Sequence, residues 1–300
     1  MTHPRHRPPP LQPGDRVTVI APAAPVHPGL LTAGTAILRT WGLDVHTAPH
    51  VHDVHPTLPY LAGHDTHRAQ DLTDAWHDPD VKAVITARGG YGSQRLLDHV
   101  DWTSLHQTKH FTGSSDTTAL HSALTTQGIP THFAPMIATT AFVHDTQTQE
   151  NLRRSLFDPP TVLTGPHTTT LTPGTARGTT TGGTLTLIDP TTPRGGIVLL
   201  EDIDEDTYRL DRMLTALLRT GWFDTTTGIA LGSWHHCGPT EHVLHDRLTP
   251  LGIPVLADLG FGHCPGQLTI PLGVEVELDA DRGTLTVLET PAPAVPQSSP

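Results

Sequence analysis

Cysteine is scarce: Cys237 and Cys264 are the only two in 300 residues. They are too few for a disulfide framework and lack the close pairing of a metal-binding motif, so both are expected as free thiols. Positive charge is also in short supply, with 18 Lys and Arg against 30 Asp and Glu and a formal net charge of −12. That balance leaves no basic face broad enough for nucleic acid or anionic lipid, and it points to a small-molecule partner. Charged residues make up 16% of the chain and hydrophobic ones 36%, in short separated runs. None approaches the ~20 apolar residues that cross a bilayer, so a soluble protein with no membrane partner is expected. The segment Met1-Thr2-His3-Pro4-Arg5-His6-Arg7 has charge with no apolar stretch after it, which does not read as a secretory signal and leaves a cytoplasmic location as the expectation.

Histidine, with 22 residues, proline, with 29, and threonine are abundant. Most of the histidines are expected to reflect compositional bias on a tolerant surface. At 300 residues the chain is long enough for one large domain or two ordinary ones. Both ends are Pro-rich without periodicity, and residues 1–10 and 291–300 are expected as flexible tails.

Between the ends, the first half alternates strand-like and helix-like segments. Arg16-Val17-Thr18-Val19-Ile20-Ala21 is β-branched and apolar, and Leu30, Leu31, Ala33, Ile37, Leu38 and Trp41 recur at helical spacing before Gly42. The unit repeats with a strand over 81–87, a glycine loop at 88–92 and a short helix near 93–99, then a strand near 109–113 and a helix from 117 to 127. Repeated βα units predict an α/β fold with a doubly wound parallel sheet over 11–160, binding ligands beyond the carboxyl ends of its strands. Residues 161–183 are mostly Thr, Pro and Gly and read as a linker. A smaller, mixed α+β domain is expected over 184–290, with a strand 196–201, an amphipathic helix near 207–220, a strand at 228–232 and a hairpin of 274–278 with 284–288.

Four constellations could carry chemistry. Gly113-Ser114-Ser115-Asp116 follows a strand and precedes a helix, so a serine hydroxyl can project from the sheet edge beside free backbone N–H groups. It lacks the G-x-S-x-G pattern, because Thr117 stands where the second glycine would be, and Ser and Asp are also ordinary helix caps. Arg88-Gly89-Gly90-Tyr91-Gly92 allows close backbone approach to a ligand but has no P-loop ending. The cluster Glu201-Asp202-Ile203-Asp204-Glu205-Asp206 ends an apolar run, and Glu201 is the member that a strand can hold against a partner. His263, in Gly262-His263-Cys264-Pro265-Gly266, is restrained as a general base should be. The competing reading is zinc held by His235, His236 and Cys237 together with His263 and Cys264.

Together these segments resemble the LD-carboxypeptidase family of serine peptidases, which includes the microcin C self-immunity hydrolases. The resemblance rests on Leu11-Gln12-Pro13-Gly14-Asp15-Arg16, Arg88-Gly89-Gly90-Tyr91-Gly92, Gly113-Ser114-Ser115-Asp116, Gly182-Gly183-Thr184-Leu185, Leu200-Glu201-Asp202-Ile203 with Tyr208 and Asp211-Arg212-Met213-Leu214, and Phe261-Gly262-His263 before Leu272-Gly273, in family order. It implies Ser115 as nucleophile, His263 as base and Glu201 as the carboxylate orienting it. The oxyanion donors would be the backbone of Asp116 and of the glycine loop near Gly90, with no metal or other cofactor. It also implies a site across an interdomain cleft and a homodimer. The implied substrate is a murein tetrapeptide losing its terminal D-alanine in peptidoglycan recycling, or an aminoacyl-nucleotide conjugate. A non-catalytic ligand-binding protein on the same frame is the alternative of a different class. Ser114, Thr184, Ala134 and Phe133 depart from the family's usual aromatic residue, asparagine, glycine and histidine.

Overall fold

The computed structural model describes residues 7–192 and 195–288. The first lobe is built on β1 (Arg16–Ile20), α1 (Pro28–Thr40), β2 (Asp44–Thr47), α2 (Asp65–His77), β3 (Val81–Thr86), β4 (His110–Gly113), α3 (Thr118–Thr126) and β5 (Thr131–Phe133), then α4 (Thr140–Val143) and α5 (Thr146–Phe157). The five strands pair in parallel in the order β2-β1-β3-β4-β5. The sheet is therefore doubly wound, and its order reverses between β1 and β3, where such sheets open a crevice beyond the strands' carboxyl ends. Val17, Val19, Ala83, Val84, Ile85 and Phe111 are fully buried, as parallel strands covered on both faces require.

The second lobe holds β6 (Val162–Leu163), β7 (Thr169–Thr172), β8 (Thr175–Thr184), β9 (Gly196–Ile203), α6 (Thr207–Arg219), β10 (Thr226–His235), α7 (Glu241–Leu248) and β11 (Val255–Ala257). After β12 (Ile270–Leu272) come β13 (Glu275–Asp279) and β14 (Thr284–Val287). Its eight strands run β6-β14-β13-β8-β9-β10-β11-β7, parallel through β8-β9-β10-β11 and antiparallel at both flanks. On α6, Leu210, Leu214 and Leu217 fall on one face and are buried against this sheet, each contributing about 1.5–3 kcal/mol.

Three boundaries differ from the sequence reading. Residues 161–183 are no linker: they contain β6, β7 and nearly all of β8, a strand inside the second sheet. Threonine supplies the β-branched side chains there, and Thr180 bonds Pro271 O through its hydroxyl at 2.7 Å. Nor is 184–290 one body, because β12 crosses back and pairs antiparallel with β5 at the edge of the first sheet. Residues 7–10, read as part of a tail, pack instead: Arg7 is 8% exposed, and Pro9 O accepts from His110 Nε2 at 2.9 Å. Residues 1–6 and 289–300 lie outside the described residues. No helix among the described residues is long and apolar enough to cross a membrane.

Candidate active site

Both sheets aim their carboxyl ends at one cleft. A cavity of about 620 Å³ there is lined by Arg88, Gly89 and Gly90 after β3, Ser114 and Ser115 after β4, and Met136 and Thr139 after β5. The second lobe adds Ile203 from β9, His235 from β10 and His263, Cys264 and Gln267 from the segment after β11. Ser115 and His263, which lie far apart in the chain, thus face the same space from different lobes.

Ser115 has φ +56, one of four non-glycine residues with positive φ among the described residues. A side chain in that region is held by its surroundings rather than by its own preference, as at a strained strand-to-helix turn. The capping alternative fails, since neither Ser114 nor Thr117 makes a side-chain cap hydrogen bond. Instead, Thr117 Oγ1 bonds back to Ser114 O at 2.8 Å. A Cβ at Gly89 would stand 3.1 Å from Ser115 Cβ and 3.3 Å from its Oγ, so this glycine clears the room the hydroxyl occupies.

Asp116 is buried, and its carboxylate accepts the Ser93 N–H at 2.7 Å. That bond ties the end of the glycine loop to the turn carrying Ser115. Gly90 lines the cavity, whereas Asp116 belongs to the turn beneath it.

Glu201, near the end of β9, is fully buried. Its Oε2 accepts His263 Nδ1–H at 2.7 Å and the His263 backbone N–H at 3.2 Å, and its Oε1 accepts the Thr184 hydroxyl. With Nδ1 donating to Glu201, His263 Nε2 is left as the proton acceptor. Burial lowers the His263 pKa, but the Glu201 hydrogen bond and charge, with Asp202 and Asp204 behind, outweigh it and leave the imidazole above its ordinary value. A Cβ on Gly262 would lie 2.4 Å from Glu201 Oε2, and Gly262 has φ +88, so only glycine lets the chain close over this carboxylate. Asp202 serves elsewhere: it accepts from Thr186 N at 2.9 Å, Thr186 Oγ1 at 2.8 Å and Ile203 N at 2.9 Å. Burial raises its pKa.

The residues weighed as a zinc set do not converge. Cys237 is buried with its thiol toward His235 O at 3.5 Å, and His236 Nδ1 bonds Asp204 at 3.1 Å. Burial pushes the Cys264 thiol up to about 11.

Two supports escaped the sequence reading. Thr184, which stands in place of the family's usual asparagine, holds Glu201 through its side chain, and its backbone N–H bonds Thr118 Oγ1 at 3.1 Å. Asp145 caps α5 through Gln147 N at 2.9 Å and Thr148 N at 3.1 Å, and also accepts Gly266 N at 2.6 Å. Asn151 Nδ2 adds a bond to Gly266 O at 2.9 Å, so the first lobe clasps the turn that carries His263. A capping Asp before Thr146-Gln147-Thr148 was visible in the sequence, but its reach to residue 266 was not.

The chain is similar to known proteins over most of its length. The LD-carboxypeptidase N-terminal domain matches residues 17–134 and the LD-carboxypeptidase C-terminal domain residues 177–278. A Streptomyces coelicolor protein with a provisional carboxypeptidase name is 52% identical over 301 residues, covering 95% of this chain and 97% of that one. The murein tetrapeptide carboxypeptidase of Pseudomonas aeruginosa is 30% identical over 293 residues, covering 89% and 94%. Among solved structures, MccF in complex with glutamyl sulfamoyl guanosine superposes with a TM-score of 0.83 at 22% identity, covering 96% of this chain and 99% of that one; that likeness is one of fold. The chain belongs to the LD-carboxypeptidase family of serine peptidases.

Proposed function

We propose that this enzyme hydrolyses the amide bond to the terminal D-alanine of a murein tetrapeptide, with Ser115 as nucleophile, His263 as general base and acid, and Glu201 as the residue that orients His263. The observation that carries the reading is the Glu201–His263 pair, buried on the carboxylate side and open to the cleft on the other, in a cavity it shares with a strained Ser115.

In this scheme His263 Nε2 takes the Ser115 hydroxyl proton as Oγ attacks the carbonyl carbon. The tetrahedral oxyanion accepts hydrogen bonds from the backbone N–H groups of Asp116 and Gly90. Collapse breaks the C–N bond, and His263 returns the proton to the departing D-alanine amine. Water, deprotonated by the same nitrogen, then cleaves the acyl-enzyme and frees Ser115. Glu201 keeps the ring in the required tautomer and stabilises the imidazolium that forms twice per cycle.

A carboxypeptidase must also recognise a free carboxylate. Arg88 is the lining residue that carries a permanent positive charge, and its Nη1 donates to Pro25 O at 3.3 Å. We assign the substrate's terminal carboxylate to its guanidinium, whose donor fork matches a carboxylate bidentately. Arg88→Lys is then expected to lower kcat/KM by 10-fold or more.

The test is side-by-side incubation with murein tetrapeptide and an aminoacyl-sulfamoyl adenosine, with products read by mass spectrometry. Release of D-alanine supports the proposal. Cleavage of the nucleoside conjugate alone would transfer the same machinery to the alternative substrate class, and neither product would leave a ligand-binding protein.

A further inference from the structure

The connection between β2 and α2 gathers side chains that the cleft does not use. One ring nitrogen each from His50 and His67 and one carboxylate oxygen of Asp53 all lie within 4.8 Å of one another. Among the described residues this is the group of three His, Cys, Asp or Glu side chains with metal-ligand proximity. The two rings stack at 4.3 Å between centroids with a 26° tilt, and His67 Nδ1 stands 3.6 Å from Asp53 Oδ2. His50 and Asp53 are half-buried and His67 is exposed, so an ion can reach them from solvent without dismantling the fold.

An accidental meeting of surface histidines would not need the support found beneath this one. Asp71 is 4% exposed, and it accepts His50 Nδ1–H at 2.8 Å and the His50 backbone N–H at 3.2 Å. A buried carboxylate on one ring nitrogen fixes the tautomer and the orientation, and it leaves Nε2 as a basic lone pair. Metal-bound histidines are commonly held by a partner of this kind. Asp71 lies one turn beyond His67 on α2, so one helix supplies both a ligand and the support for the other histidine. The loop is closed to match: a Cβ on Gly63, which has φ +78, would come 2.7 Å from Asp53 Cβ, so the absence of a side chain there admits Asp53.

We propose that His50, Asp53 and His67 bind a divalent transition-metal ion of the Zn²⁺ class, with Asp71 as positioning residue and water completing the coordination. Two imidazoles and one carboxylate favour such an ion over Mg²⁺ or Ca²⁺, which take oxygen ligands. Bonds of about 2.0–2.1 Å would require the ligand atoms to draw together from their present spacing, a movement open to the part-exposed Asp53 and His67 side chains.

The ion would brace a structurally sensitive helix. Arg68, next to His67, donates to Gly92 O at 3.0 Å and to Pro22 O, anchoring the loops at the sheet's switch point. The site therefore stabilises the frame without entering the reaction.

The experiment uses the tag-free full chain, stripped with chelator and titrated with Zn²⁺ in the presence of a competing chromophoric chelator, with a thermal melt run in parallel. Wild type is expected to bind one equivalent more tightly than any other and to melt higher with zinc. His67→Ala and Asp53→Ala should weaken that equivalent at least 10-fold and lose the zinc-dependent rise in Tm. Asp71→Asn should weaken it while leaving all three ligands in place. His242→Ala, an exposed histidine on α7, should change neither readout. Unchanged zinc affinity in both ligand variants, or no equivalent bound by wild type, overturns the proposal.

Discussion

The Thr184 hydroxyl and the His263 ring bond opposite oxygens of one buried carboxyl group, so the loss of either bond leaves that group short of a partner in a dry place. Thr184→Val keeps the shape and removes the donor; kcat is expected to fall about 10-fold, with KM changing less. The pH profile carries a sharper signature. As the proposed base His263 must be neutral to accept a proton, and its pKa is raised because Glu201 outweighs burial. Activity should therefore decline as pH falls through a value above the ordinary histidine pKa of about 6.5. Glu201→Gln removes the charge while burial remains, so the acid limb of kcat/KM should move to lower pH while the maximum falls. A limb that stays in place would show that another group titrates. Ser115, Glu201 and His263 stand out in the sequence because each lies in a recognisable motif that follows or ends a strand, and the structure brings Ser115 and His263 to one cavity with Glu201 bonded to the His263 ring. Thr184 and Asp145 do not stand out, since their value lies in bonds to residues far away in the chain.

Among the elements, α5 shows how a polar segment can matter. Asp145 satisfies two N–H groups at its start and the Gly266 N–H across the cleft. Burial raises the Asp145 pKa, but the Gly266 and Thr148 bonds prevail and leave it depressed. The clasp is therefore complete above the unfolded carboxyl pKa and is lost as pH falls through the lower folded value. Asp145→Ala should cost about 1–2 kcal/mol in chemical denaturation and loosen the His263 turn, so kcat should drop as well. A loss of stability with full kcat would confine Asp145 to capping. The helix α6 and the β13-β14 hairpin are readable because their apolar residues recur at one clear period, and β1, β3 and β4 because they fall in short β-branched or apolar runs between helical segments or loops. β8 was hidden by its composition, TARGTTTGGT, in which threonine and glycine supply little hydrophobic signal. β12 was hidden by its brevity, at three residues with a central proline. Buried histidines also misled the compositional reading: His110 and His132 bond each other at 2.9 Å, and His121 bonds Gly113 O and Thr131 Oγ1 beneath the Ser115 turn. Burial lowers His110 and His121 to about 4, so these rings are neutral fittings of the first lobe and not surface noise.

For the whole molecule, the route of the chain between the lobes decides how the site is assembled. The segment after β11 leaves the second sheet, carries His263 through the cleft and delivers β12 to the edge of the first sheet. Neither lobe is complete without the other, so urea unfolding followed by tryptophan fluorescence and by circular dichroism should give one coincident transition. Two separated transitions would contradict this interdependence. The catalytic claim faces its most direct trial in the rate of D-alanine release from murein tetrapeptide by wild type and by Ser115→Ala, compared at equal concentration with matching circular dichroism spectra. The variant is expected to be slower by about 10³-fold or more; release at a rate near that of wild type would remove Ser115 from the reaction and the proposed acyl-enzyme with it.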